Sequence, residues 1–217
     1  MSMRIICLIV GFIFGSIPNG YLIARSKGVD IRHTGSGNVG TTNVLRSMGK
    51  KYGALTLLLD MAKAIVPIII MQLFYGDIHE TRYITTMYTG LGAVLGHDFS
   101  PWLNFNGGKG VATSGGVLLT TDPILITVTL AMVFITAKVT GYVSLGSLMA
   151  SVVYIAFNLF VAITGHVPGW PFYPQYFSPS HSIEIIAVSL ITAGITVFRH
   201  KANIIRLMNG TENKIKL

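Results

Sequence analysis

Charge is scarce in this chain: 11% of the residues are Asp, Glu, Lys or Arg, where a soluble domain carries roughly 25%. Acids are scarcer than bases, with 8 Asp and Glu against 16 Lys and Arg and a net charge of +8. Cysteine is nearly absent. Cys7 stands alone in an apolar run, which excludes an internal disulfide and a CxxC metal or redox site and leaves packing as its role. No G-x-S-x-G nucleophile elbow occurs. No short signal-peptide core is present either. The first apolar run continues from Ile5 to Ala24 with no A-x-A pattern at its end, so a retained span is expected. The histidines share no metal-ligand spacing, and neither a metal nor a cofactor is expected.

What the chain does have is apolar length. It is 51% hydrophobic over 217 residues, with a mean hydropathy of +0.62. That composition predicts one all-α polytopic membrane domain over residues 1–217. The basic excess sits in loops beside apolar runs, which suits orientation and anionic headgroups better than nucleic acid.

Seven spans are expected. The first, Ile5–Ala24, carries Gly15-Ser16-Ile17-Pro18-Asn19-Gly20, which predicts either a proline kink or a break lining a cavity. A loop over Arg25–Tyr52 follows. The second, Gly53–Tyr75, contains Asp60 and Lys63, three apart on one helical face. Intramembrane charges are costly and usually paired, so a structural ion pair is preferred to a catalytic role. The turn Gly76–Arg82 is of mixed charge. The third span, Tyr83–Gly96, carries Gly92-x-x-x-Gly96, suited to close helix contact. A loop over His97–Lys109 leads to the fourth, Val111–Thr120. Both are short for a core of about 30 Å, so short helices buried among longer ones are expected. The fifth is Ile124–Ala137 and the sixth Val143–Ile163. An aromatic loop with Trp170, Phe172, Tyr173, Tyr176 and Phe177 then suits an interfacial belt. The seventh is Ile183–Phe198.

Charge sets the orientation. With seven spans, Arg25, Lys27, Arg32, Arg46, Lys50, Lys51, Lys109, Lys138, Arg199, Lys201, Arg206, Lys214 and Lys216 fall on one side. Only Arg4 and Arg82 fall on the other. The N-terminus is therefore expected outside and the C-terminus in the cytoplasm.

The stretch Thr34-Gly-Ser-Gly-Asn-Val-Gly-Thr-Thr-Asn-Val-Leu-Arg46 has three glycines, a series of hydroxyl and amide side chains, and no acid. Glycines let successive N–H groups point into one concavity, which suits a phosphate. Arg46 can clamp phosphate oxygens in a bidentate way. Gly35-x-Gly37-x-x-Gly40 matches a dinucleotide fingerprint, but polar residues precede it where a strand is required. Walker A spacing fails because Thr41 replaces the lysine. A bland glycine-rich connector is the lesser alternative to a phosphate-binding loop. By the charge count this loop, the Gly107–Gly110 loop, Ser144 and the Arg199–Arg206 tail share the cytoplasmic face. So many donors suit two anionic ligands, or one with a charged leaving group.

At these residues the chain resembles a family of bacterial membrane acyltransferases, the PlsY family, over essentially its whole length. The resemblance rests on Gly15-Ser-Ile-Pro-x-Gly20, the Gly35–Arg46 run, Leu59-Asp60-x-x-Lys63, Gly107-Gly-Lys-Gly-Val-Ala-Thr113, Val143-Ser-Leu-x-Ser147, and Arg199-His-x-x-Asn-Ile-x-Arg206 with Gly210-Thr-Glu212. Thr41 stands where alanine is common, and Ala64 where glycine is common; neither removes a donor. The resemblance implies transfer of an acyl group from acyl phosphate to sn-glycerol 3-phosphate, giving lysophosphatidate and phosphate. It implies seven spans and a cytoplasmic active site in the plasma membrane of a bacterium. Expected partners are the two substrates and membrane lipids, with no nucleic acid and no required protein partner.

Phosphate leaves well, so no covalent enzyme intermediate is required. The H-x-x-x-x-D motif of other glycerol-phosphate acyltransferases is absent: residues five beyond His33, His79, His97, His166, His181 and His200 are Asn38, Ile84, Trp102, Pro171, Ile186 and Ile205. Positioning and charge stabilisation should carry the rate. Ser36, Gly37, Asn38, Thr42, Asn43 and Arg46 are expected to bind phosphate and hydroxyl groups. Lys109, with the N–H groups of Gly107, Gly108 and Gly110, should hold a second phosphate and polarise the acyl carbonyl. Ser144, His200 and Asn203 should orient glycerol 3-phosphate, with Arg199 alongside. His200 suits a general base; the rivals are a substrate phosphate as proton acceptor, or membrane-surface anchoring for His200. A transporter for a phosphorylated metabolite is the main competing class, and a structural partner of another membrane enzyme the third. No internal repeat is seen, which weighs against a transporter.

Overall fold

The computed structural model describes residues 2–75, 81–167, 175–176 and 179–215. His79, Lys216, most of the Gly76–Arg82 turn, and Trp170, Phe172, Tyr173 and Phe177 of the expected aromatic belt lie outside them. The chain folds as two compact units. One is Met1–Gly76 with Thr85–Thr120, and the other is Asp77–Ile84 with Thr121–Leu217.

In the first unit the opening span is broken. Helix α1 (Ser2–Gly15) stops, and α2 (Asn19–Arg25) starts after Ser16-Ile17-Pro18. Proline lacks the N–H that would continue the ladder, and the freed carbonyls need new donors. They find buried ones. Ser100 Oγ donates to Ser16 O at 2.6 Å, and Lys63 Nζ to Ile17 O at 2.9 Å. This is a break, not a simple kink.

The segment Arg25–Tyr52 departs from a plain loop. It contains α3 (Thr41–Met48), and α4 (Lys50–Tyr75) begins ahead of the expected Gly53. Gly49, at φ 88°, ends α3 in a conformation other residues rarely adopt. Gly53 then lets α4 start against α3, since an added Cβ would lie 2.9 Å from Leu45 Cα.

Helix α5 (Arg82–Asp98) runs past the expected Gly96, so His97 sits on its last turn and not in the loop. The Gly92/Gly96 contact is present. A Cβ on Gly92 or Gly96 would strike the Leu8 and Phe12 carbonyls of α1. Gly11 and Gly15 of α1 meet Thr89 and Ala93 of α5 in the same way. Two backbones touch along this seam because neither side presents a side chain. Helix α6 (Val111–Thr121) has 11 residues, about 17 Å of rise.

The second unit is built on α7 (Pro123–Thr140), α8 (Val143–Thr164), α9 (Ser182–Arg199) and α10 (Lys201–Met208). Asp122 caps α7 by accepting from the N–H groups of Ile124 and Leu125 at 2.7 and 2.9 Å, with Pro123 at the first helical position. Gly141 and Gly165, both at positive φ, end α7 and α8. A two-residue antiparallel pair, β1 (His166–Val167) with β2 (Gln175–Tyr176), follows α8.

Among the described residues, five segments are long and apolar enough to cross a membrane: Ser2–Arg25, Lys50–Tyr75, Pro123–Thr140, Val143–Thr164 and Ser182–Arg199. Helix α5, with 17 residues, and α6, with 11, stand where the third and fourth spans were expected and are not among these five. Leu73, Phe74, Val139 and Ile163 are more than 70% exposed, as side chains facing lipid would be.

Candidate active site

The glycine-rich loop folds around one amide. Asn43, 3% exposed, donates through Nδ2 to the carbonyls of Ile31 (3.3 Å), Thr34 (2.9 Å) and Asn38 (2.8 Å). Its Oδ1 accepts from the Ser36 N–H at 2.9 Å. A trans peptide points its N–H opposite its C=O. Carbonyls of Thr34 and Asn38 drawn onto Asn43 therefore turn the N–H groups of Gly35 and Val39 away from it. Thr41 and Thr42 open α3, where N–H groups have no intrahelical acceptor. Gly35 and Gly37 stand at φ 61° and 73°, and a Cβ on Gly35 would collide with Asn43 Oδ1. Asn38 Oδ1 accepts from the Gly40 N–H at 2.9 Å, closing the turn into α3. Ser36 and Arg46 are exposed; Gly37, Asn38 and Thr42 are half-buried. The amide of Asn43, expected to bind ligand, is instead spent on the loop's own backbone and serves to position it.

Below the loop lies an apolar floor of Ala24, Ile31, Val39, Val44 and Leu103. Leu103 belongs to the turn Pro101–Leu103, so the segment leading into the second glycine-rich loop packs on the core of the first. An ion pair braces one edge. Arg32 Nε and the Arg32 terminal nitrogen reach Asp30 at 2.9 and 2.6 Å, and the guanidinium lies 5.0 Å from the Tyr21 ring centroid. These hydrogen bonds hold the Asp30 carboxyl well below the usual carboxylate range and raise the Arg32 value.

The second loop differs from expectation. The N–H groups of Gly107 and Gly108 donate to the Asp98 and His97 carbonyls, both at 3.1 Å. They cap the C-terminus of α5 and do not face outward. Glycine is required there for room: a Cβ on Gly107 would meet the His97 carbonyl, and one on Gly108 the His97 ring. Gly110, at φ 70°, turns the chain into α6. Lys109 stands between them, half-buried.

In the second unit the organiser is Glu212, a residue not singled out as a site residue from the sequence. Its Oε1 accepts from Ser144 Oγ (3.1 Å) and Asn203 Nδ2 (2.8 Å), and its Oε2 from Arg206 Nε (2.8 Å). The side chain is 5% exposed. One signal was legible: Glu212 is the only acid in a tail of basic residues from Arg199 to Leu217. The tail is tied back at the Ile215 N–H, which donates to Gly141 O at 2.8 Å. Ser144, His200 and Asn203, expected together, are buried at 8%, 2% and 4% exposure. Arg199 is half-buried beside them in sequence.

His200 sits at the joint between α9 and α10. Its Nδ1 lies 2.8 Å from the Thr196 carbonyl. A carbonyl only accepts, so Nδ1 carries the proton. In the neutral ring Nε2 is then the acceptor nitrogen. Among the described residues no three His, Cys, Asp or Glu side chains gather as a metal site.

Known proteins resemble this chain along its length. The family model for glycerol-3-phosphate acyltransferase matches residues 5–210. The glycerol-3-phosphate acyltransferase of Acholeplasma laidlawii is 41% identical, covering 97% of this chain and 92% of that one. That of Geobacter sulfurreducens is 39% identical over the full length of both. A crystal structure of PlsY, an integral membrane glycerol 3-phosphate acyltransferase, in its glycerol 3-phosphate form matches with a TM-score of 0.80 at 35% identity. It covers 98% of this chain and 96% of its own. The lysophosphatidic acid form gives 0.77 at 34% identity, covering 98% and 95%. These matches set aside the transporter reading. The chain belongs to the glycerol-3-phosphate acyltransferase family and is an integral membrane acyltransferase of phospholipid synthesis.

Proposed function

We propose that the acyl donor is an acyl phosphate and the acceptor the 1-hydroxyl of sn-glycerol 3-phosphate. The hydroxyl oxygen attacks the acyl carbonyl, the carbon–oxygen bond to phosphate breaks, and lysophosphatidate and inorganic phosphate result. The observation that carries this reading is a pair of glycine-rich loops, the core of the first joined by Leu103 from the segment leading to the second, with Arg46 on the first and Lys109 on the second. Between them they offer two cations to phosphoryl oxygens, and the first adds outward N–H groups. Arg46, Ser36, Thr42 and the backbone around Gly37 and Asn38 bind phosphate or hydroxyl groups in this reading. Lys109, with the N–H of Gly110, holds the second phosphate and draws charge from the acyl carbonyl. The known PlsY forms with glycerol 3-phosphate and lysophosphatidic acid support the acceptor and product.

Ser144 and Asn203 orient glycerol 3-phosphate, with Arg199 supporting its charge. His200 accepts the hydroxyl proton on Nε2, which the Nδ1 bond to Thr196 leaves as the basic nitrogen. The rival acceptor is a substrate phosphate oxygen. In the proposed topology seven helices cross the plasma membrane of a bacterium, with the N-terminus outside and the site in the cytoplasm. The distribution of Lys and Arg supports this. Neither a protein partner nor a cofactor is part of the reading.

The test is direct. Purified protein is incubated with glycerol 3-phosphate and either an acyl phosphate or the matching acyl-CoA. Lysophosphatidate and free phosphate from the acyl phosphate alone are expected. Product formed equally well from acyl-CoA would refute the donor assignment.

A further inference from the structure

Asp60, Lys63 and His97 take no part in the chemistry above, yet they are 1%, 5% and 6% exposed. Such burial is costly for charged groups unless each has its partners. Lys63 Nζ has three: Asp60 Oδ1 at 3.0 Å, the Ile17 carbonyl at 2.9 Å and His97 Nδ1 at 2.7 Å. An ammonium has three protons and no lone pair, so these contacts use all of them. Asn19 Nδ2 donates to the same Asp60 oxygen at 3.1 Å. Ile17 and Asn19 flank Pro18 at the break between α1 and α2.

The contact with His97 has a chemical consequence. A donor-only ammonium at 2.7 Å makes Nδ1 the acceptor. The ring is then neutral, with its proton on Nε2. That edge of the ring faces the glycine turn, because a Cβ on Gly108 would fall on Nε2. The His97 and Asp98 carbonyls also hold the Gly108 and Gly107 N–H groups. A continuous chain of contacts thus runs from the broken helix through an ammonium and an imidazole to the residue before Lys109.

We infer that Asp60, Lys63 and His97 are positioning residues for Lys109. The ion pair fixes one tautomer and one orientation of the His97 ring, the ring shapes the Gly107–Gly108 turn, and the turn aims the lysine. This rests on the role given to Lys109 above. The charged groups around the His97 ring are Asp60 and Lys63 from α4, Asp98 from its own helix and Lys109 beyond the turn. Asp60 Oδ1 lies 3.8 Å from Nδ1, and the Lys63 ammonium donating to that nitrogen at 2.7 Å leaves no room for a proton on it.

The deciding variant is the double substitution Asp60→Leu with Lys63→Met. It removes both charges together, so neither member of the pair is left buried alone. It is expected to fold, with a thermal midpoint lowered by the lost contacts to Ile17 and Asn19. Its kcat/KM with acyl phosphate should fall roughly 10–100-fold, the size of loss seen when the partners that orient metal ligands are removed. Its pH profile should also change, as the His97 ring loses the ammonium that fixes its tautomer. A folded double variant with wild-type kinetics and pH profile would overturn the proposal and leave a structural ion pair. An independent measurement uses the wild-type protein: nitrogen NMR of the histidine rings should show His97 protonated on Nε2 and unchanged from pH 6 to 8. A proton on Nδ1, or ordinary titration, would overturn it even if the double variant failed to fold. Wild-type protein inactive with acyl phosphate but showing that NMR signature would instead refute the donor reading.

Discussion

Asn43 and Glu212 each tie distant pieces of chain together, one with an amide and the other with a carboxylate. Asn43 uses both donor and acceptor capacity on backbone groups from Ile31 to Asn38. Glu212 only accepts, and what it gathers are side chains: Ser144, Asn203 and Arg206. The difference follows from what each region presents. A loop meant to show N–H groups must have its carbonyls turned inward, and only a donor can hold them. A cluster of hydroxyl, amide and guanidinium donors needs an acceptor that satisfies them together without becoming a donor itself. The first unit thus shapes backbone, and the second aims side chains.

The largest expected effect concerns the cations on the shaped backbone. Arg46→Ala or Lys109→Ala should abolish transfer while the protein still inserts and unfolds at a wild-type temperature. Near wild-type turnover in either variant would break the two-phosphate reading of the first unit. Next is the side chain aimed by the α9–α10 joint. His200→Ala should lose roughly 10²–10⁴ in kcat if it is the base, and a loss under tenfold hands that role to a substrate phosphate.

The contrast itself is sharpened by exchanging functional groups at the two organisers. Glu212→Gln gives the cluster a donor where it needs an acceptor. It should lower kcat/KM roughly 10–100-fold with little change in loop proteolysis. Asn43→Asp removes the donors from three carbonyls, each loss costing about 1–3 kcal/mol if the group stays unsatisfied. It should expose residues 34–46 to protease before it alters any other segment. The opposite pattern would show that the two organisers do the same job. The smallest effect is at the brace. Asp30 has a depressed value in the folded protein, so its contribution is present above the unfolded value of about 3.9 and is lost as pH falls through the folded value. Asp30→Asn should therefore lower the unfolding temperature slightly and evenly at neutral pH, and the two proteins should converge in strong acid.

Apolar length and punctuation made the long helices legible, and the run Gly15–Gly20 announced the break at Ser16–Pro18. Local spacing also gave the Asp60–Lys63 pair and the Gly92/Gly96 seam. Helix α3 was hidden because three glycines precede it, although Val44, Leu45 and Met48 carry helical spacing ahead of Gly49. His97 was missed as a partner of Lys63 because the contact spans 34 residues, beyond any periodicity. The Gly107 and Gly108 N–H groups were assigned outward because composition shows that donors exist but not which way they point. Glu212 was passed over because a single acid in a basic tail reads locally as solvated.

The seam between α1 and α5 carries a practical consequence for re-engineering acyl-chain preference. Gly11, Gly15, Gly92 and Gly96 each occupy a spot where even a methyl group would strike the opposite main chain. Randomising those four codons would wedge the helices apart and waste the library, so diversity belongs on lipid-facing positions of the longer helices instead.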